Sequence, residues 1–237
     1  MRLRFANHDF PALPSILSVE NLLGDVLGEH VYVGGACVGF YVDDPAAAEI
    51  RPTYDVDIVV EIASEVERTQ HDERLRQAGL QHDQNGPICR WTKGGLVIDV
   101  MPSSPEILGF SNRWYPYVLA SPVACDVDGV EIQIASLSAF LATKMEAFSG
   151  RGGDDYVTSS DFEDIVRICD GCLTFEVDCL DAASEVLEFI GLTAREWLDK
   201  GDEFRQAVSA HIEQGDSVRT QEVLARLQLL ASQKRSG

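Results

Sequence analysis

Near residue 135 the hydrophobic period of this 237-residue chain changes, and no other feature restricts its fold as strongly. Before that point short apolar runs alternate with helical patterns and glycine turns, and after it nearly every segment repeats at helical spacing. The pattern predicts an α/β domain over 1–135 and a helical region over 136–237. In the first, Ile16, Val19, Leu22, Leu23, Val26 and Leu27 mark a helix over 15–29, and a strand over 30–33 runs into Gly34-Gly35. A β-branched run makes 55–60 a strand, a charged helix follows over 64–80, and strands are expected over 88–92 and 96–101. Asp128-Gly129 supports the positive φ angles of a two-residue turn, so 123–127 and 130–134 read as a hairpin. Beyond it, helices are expected over 136–149, 160–169, 181–190, 193–211 and 218–232, with a Gly-, Asp- and Ser-rich loop over 150–159.

Composition narrows the function classes. An apolar fraction of 45% fills a sizeable core, which excludes a disordered chain. No run reaches the ~18 apolar residues of a membrane span, and residues 1–7 lack the apolar stretch of a signal peptide, so the expectation is a cytoplasmic protein with no membrane partner. Thirty-nine acidic against 19 basic residues give a net charge of -20, which repels polyanions and excludes a general nucleic-acid coat protein. Six irregularly spaced cysteines suggest free thiols in a reducing compartment. Cys169, Cys172 and Cys179 lack a fourth ligand nearby for a structural zinc, and no nucleophile signature accompanies the histidines.

The chemistry-bearing residues fall into two groups. Asp55 and Asp57 stand two apart on the 55–60 strand, so both carboxylates leave one face while Val56, Ile58 and Val60 take the other. Two acids alone suit a solvated edge strand as readily as a cation site. Asp99 adds a third, because Leu96, Ile98 and Val100 share the opposite face of its strand, and an antiparallel neighbour would set it beside the first pair. Three carboxylates on one face repel without a cation among them, and hard oxygen ligands that leave room for water and phosphate suit Mg²⁺. Gly34-Gly35 ends a strand before a helix-like start at Ala36, where backbone N–H groups can approach a phosphate, although a plain turn also explains it. Lys144 lies inside the apolar stripe of Leu137, Phe140, Leu141, Met145 and Phe148, either snorkelling or reaching a triphosphate or carboxylate. On either reading a Met at position 144 would leave the protein at least as stable. Ser160 and Glu163 read as a capping box that sets Asp161 in the first helical turn, with Asp164 on the same strip. Arg90, Lys93 and Arg151 read as solvated surface charges.

In order along the chain, Val33-Gly34-Gly35, Arg51-Pro-Thr53-Tyr-Asp55-Val-Asp57-Ile58 and Val97-Ile-Asp99-Val-Met101 resemble the pattern of the nucleotidyltransferase superfamily typified by DNA polymerase beta. Leu141-Ala-Thr-Lys144-Met-Glu-Ala-Phe148, Arg151 and Ser160-Asp161-Phe-Glu-Asp164-Ile165 resemble the downstream blocks of its AbiEii-like branch, which includes toxins of type IV toxin–antitoxin systems. The resemblance covers about residues 31–168, with a longer spacer between Gly35 and Asp55 and Ala36 in place of a phosphate-binding Ser. It implies a nucleotidyltransferase-type mixed sheet with flanking helices, followed by helices. It further implies Mg²⁺ on Asp55, Asp57 and Asp99, phosphate contacts from Gly34 and Gly35, and help from Lys144 and Asp161 in nucleotide binding or acceptor activation. The implied reaction moves a nucleoside monophosphate from an NTP to a small molecule, a protein or tRNA, with Asp99 or Asp161 taking the acceptor proton, and the branch implies an antitoxin partner. The alternative is a non-catalytic nucleotide-sensing or antitoxin-binding module.

Overall fold

The computed structural model describes residues 4–5, 10–151 and 155–233. The leader reading of residues 1–7, apart from 4–5, and residues 152–154 of the 150–159 loop lie outside these. The chain forms two compact units, one of residues 1–39 and 51–135, the other of residues 40–50 and 136–237. It is a mixed α/β protein with flanking helices on its sheet and a helical C-terminal region. No helix among the described residues is long and apolar enough to cross a membrane.

The first unit holds β1 (Arg4–Phe5), α1 (Leu13–Leu27), β2 (His30–Val33), β3 (Asp55–Val60), α2 (Glu65–Gln77), β4 (Gln81–His82), β5 (Arg90–Lys93), β6 (Leu96–Pro102), α3 (Pro105–Leu108), α4 (Tyr115–Ala120), β7 (Val123–Val127) and β8 (Val130–Ile134). Among the described residues the strands form one sheet in the order β1-β7-β8-β2-β3-β6-β5-β4. α1 starts with Pro14 in its first turn, where a missing N–H costs nothing, and buries Ile16, Val19 and Leu23 completely. Ser64 caps α2 by accepting from Glu67 N at 3.2 Å. The β7–β8 turn has φ of 54° at Asp128 and 85° at Gly129, the conformation the Asp-Gly pair favours.

One pairing differs from the sequence expectation. β6 runs parallel to β3, not antiparallel. The chain leaves β3 through α2, returns through β4 and β5, and turns at Gly94 and Gly95 (φ 58° and 91°) into β6. That hairpin makes β6 antiparallel to β5, and β6 then lies beside β3 pointing the same way.

The second unit contains α5 (Leu137–Gly150), α6 (Ser160–Gly171), α7 (Phe175–Leu180), α8 (Ser184–Leu198), α9 (Asp202–Ala210) and α10 (Ser217–Ala231). Every residue of α5 from Leu137 to Met145 is buried, as expected of a helix with neighbours all round. Phe148, Tyr156, Phe162, Trp197 and Phe204 make a cluster of tilted and edge-on rings with centroids 4.9–6.2 Å apart. Residues 40–50 belong here because Asp43 N and Asp44 N both donate to Gly171 O at 3.0 Å and Tyr41 packs on Phe140.

The expected helices over 181–190 and 193–211 are replaced by α8 and α9, with α7 in addition. Gly191 does not break α8. An added Cβ there would meet Leu230 O at 2.8 Å, so this glycine lets α10 lie close. The break falls at Gly201, where φ is 64°.

Candidate functional site

A single row of residues crosses four strands. Arg90 of β5 is in register with Asp99 of β6, Asp99 with Asp57 of β3, and Asp57 with Val33 of β2. Alternation puts Asp55 on the same face of β3 as Asp57, while Val56, Ile58, Ile98 and Val100 bury the other face. Arg90 forks onto Asp99, with Nε donating to Oδ1 at 2.8 Å and Nη2 to Oδ2 at 2.7 Å. The same Nη2 donates to Asp55 Oδ2 at 2.9 Å. The hydrogen bonds to Asp99 raise the pKa of Arg90 further above its ordinary value, so the guanidinium is a fixed positive charge. Beside it, burial pushes the Cys89 thiol up to about 11, which makes it a poor nucleophile at neutral pH.

Sequence reasoning left Arg90 on the surface, but it is central to this face. Its place was readable from the hairpin: counting outward from Gly94-Gly95 pairs Lys93 with Leu96 and brings Arg90 opposite Asp99. Lys93 instead donates to Ala78 O at 2.6 Å, capping the end of α2.

Gly34 follows β2 with φ of 73°, and a Cβ added there would fall inside the van der Waals shell of the Asp57 carboxylate. The glycine is therefore needed both for its conformation and for the space it leaves. The expected helix start after it is a six-residue 3₁₀ helix over Gly35–Phe40, with Cys37 N donating to Gly34 O at 3.1 Å. So short a helix carries little of the dipole that favours anions, which shifts weight from Gly35 to the backbone turn at Gly34.

The donor set fits a hard divalent cation in kind, since carboxylate oxygens on two adjacent strands are the ligands Mg²⁺ takes. The Arg90 Nη2 already acts as a shared positive charge between Asp55 and Asp99. With the side chains as they stand, however, no group of three His, Cys, Asp or Glu among the described residues converges to hold a metal.

The other group lies within the second unit. Lys144 on α5 is 8% exposed and its Nζ sits 2.6 Å from Asp164 Oδ2 and 3.2 Å from Asp161 Oδ1. Arg151 Nη1 donates to Asp161 Oδ2 at 2.8 Å, and the Lys144 ammonium also lies 5.8 Å from the centre of the Phe140 ring. Asp161 and Asp164 are both buried and both face Lys144, one turn apart on α6. Lys144 is thus a buried ion-network member, not a snorkelling side chain. The helix cap is Ser159, whose Oγ accepts from Phe162 N at 3.3 Å, so the cap lies one residue before the expected Ser160, and Phe162 at the third position cannot complete the expected Ser160–Glu163 box. All six cysteines are free and buried.

No protein-family model and no curated protein matches the chain. A crystal structure of an antigenic nucleotidyltransferase-like protein from Paracoccidioides brasiliensis is similar to it, at 15% identity over 88% of this chain and 95% of that one, with a TM-score of 0.49. A likeness at that level concerns the course of the backbone alone.

Proposed function

We propose that the chain is a Mg²⁺-dependent nucleotidyltransferase, moving a nucleoside monophosphate from an NTP to an acceptor and releasing pyrophosphate. The observation that supports this best is the cross-strand row of Asp57 and Asp99, with Asp55 on the same face and Gly34 leaving room at Asp57. Three acids gathered on one sheet face are costly without a cation to balance them.

In this reading Asp55, Asp57 and Asp99 hold the cation. Mg²⁺, when bound, supplies charge stabilisation to the phosphoryl oxygens and the leaving pyrophosphate. The acceptor oxygen attacks the α-phosphorus as the bond to the bridging oxygen breaks, and Asp99 takes the acceptor proton. The backbone at Gly34 and Gly35 contacts phosphate. The role of Lys144 and Asp161 in nucleotide binding or acceptor activation is a separate claim, carried by the resemblance and tested on those residues. The charge of -20 favours a small-molecule or protein acceptor over RNA. Membership of the AbiEii-like toxin branch, and an antitoxin partner with it, would appear as growth arrest on expression, relieved by a neighbouring gene product.

One observation favours a second reading, a nucleotide-sensing module without turnover: Arg90 already neutralises part of the acid row. Incubation with α-phosphate-labelled NTPs, Mg²⁺ and either a metabolite pool or total RNA separates the two. Label passing to an acceptor supports transfer, and NTP binding with no transferred label supports the module.

A further inference from the structure

The charged helix α2 has two buried residues, Leu75 and, four positions earlier on the same stripe, His71. An aliphatic side chain would fill such a position without cost, whereas the His71 residue is 7% exposed and its Nε2 has no hydrogen-bond partner among the described residues. Burial pulls its pKa below the ordinary 6.5, so the ring is neutral at neutral pH and Nε2 calls for a partner. His71 lines a pocket of about 20 Å³, the room of one water, together with Cys89, Trp91 and Val100. Trp91 is in register with the buried Ile98, so this pocket lies on the sheet face opposite the acid row. Arg68, Asp72 and Ile88 line both the pocket and an open basin of about 670 Å³, so the one leads into the other.

The two spaces ask for different chemistry. In the pocket an ion would lose its hydration beside a neutral imidazole and a Cys89 thiol that burial holds protonated, so a charged group is disfavoured. A hydroxyl both donates and accepts, and so meets either tautomer of His71. In the basin the 49% exposed Ile88 offers apolar contact, and the guanidiniums of Arg68 and Arg76 favour the face of an aromatic ring, as Arg76 already does over Trp91 at 5.5 Å. Asp72 stands between these two arginines, four residues from each, and offsets their pull on an anion.

We infer that this cleft is a binding site for a small uncharged hydroxyaryl compound, whose hydroxyl enters the pocket against His71 and whose ring lies in the basin against Ile88. The site uses none of the residues assigned to nucleotide transfer and stands whether or not that reading holds.

The probes are p-cresol and toluene, which differ by the hydroxyl alone. Each is titrated at neutral pH into the wild-type protein and His71→Phe, with a thermal melt to establish that the variant is folded. Affinity is read by NMR from the Trp91 indole signal in both proteins, and in wild type from the His71 ring signals, assigned by their loss in the variant. Wild type should bind p-cresol with a millimolar Kd, about threefold to tenfold tighter than toluene, the return of one neutral hydrogen bond. In His71→Phe that preference should vanish. If the Phe variant does not fold, His71→Leu carries the same comparison. Equal affinity for p-cresol and toluene in wild type, or the same preference in a folded variant, overturns the role of His71 and the site with it. The absence of any saturable shift in the His71 and Trp91 signals at millimolar p-cresol overturns the inference on the wild-type protein alone.

Discussion

Gly34 leaves the space that the Asp57 carboxylate occupies: the backbone turns at φ 73° after β2, and any side chain on Gly34 would collide with Asp57 across the β2–β3 pair. Gly34→Ala is therefore expected to cost about 2 kcal/mol or more, from the left-handed conformation and the displaced carboxylate together. Chemical denaturation reads the stability, and Mn²⁺ affinity reads the carboxylate. An alanine variant with wild-type stability and cation binding contradicts the role given to this turn.

Lys144→Met is expected to be destabilising, contrary to what the helix pattern alone implies. The methionine would take the ammonium from the buried Asp164 and from Asp161, which keeps its contact with Arg151, a loss of about 3 kcal/mol. Adding Asp164→Asn should recover a large part of it. Urea denaturation of the single and double variants decides, and a Met variant as stable as wild type returns Lys144 to the snorkelling reading.

The His30–Glu20 pair makes stability pH-dependent. His30 Nε2 lies 2.9 Å from Glu20 Oε2, its Nδ1 lies 2.8 Å from Gly28 O, and Tyr32 OH donates to the same Glu20 oxygen at 2.8 Å. Burial pulls the His30 pKa down, but the hydrogen bonds to Glu20 and Gly28 and the Glu20 charge outweigh it and raise it above the ordinary 6.5. Burial pushes Glu20 up, and its bonds to His30 and Tyr32 outweigh that and lower it below the ordinary 4.5. The histidine contribution is full below 6.5 and is lost as pH rises through the raised folded value. The glutamate contribution is full above 4.5 and is lost as pH falls through the lowered value. Melting temperature should therefore decline as pH rises from about 6.5 towards 8, with that slope reduced in Glu20→Gln. An identical slope in the variant contradicts the assignment.

Much of this was legible in the chain. β2 and the β7–β8 hairpin follow from short apolar runs ended by Gly-Gly or Asp-Gly, and β3 from its β-branched run, because alternation and positive-φ turns are local properties. That Asp55 and Asp57 share a face is also local. The direction of β6 beside β3 is not, since it depends on the path through α2, β4 and β5. Lys144 was visible as an anomaly in an apolar stripe, but its partners sit 17 and 20 positions away on α6, beyond any periodicity argument. The pattern placed separate helices over 181–190 and 193–211 because it could not reveal that the Leu230 carbonyl lies against Gly191 within one continuous helix.

The central claim is that Asp57 serves chemistry and not folding. Transfer of α-phosphate label from NTP, with Mg²⁺, by wild type and Asp57→Asn from matched preparations tests it directly, with a melt on each. The account predicts that the Asn variant melts within a few degrees of wild type, since carboxylate repulsion is relieved, and transfers at least about a hundredfold less label. A folded Asn variant that transfers label at the wild-type rate would contradict it.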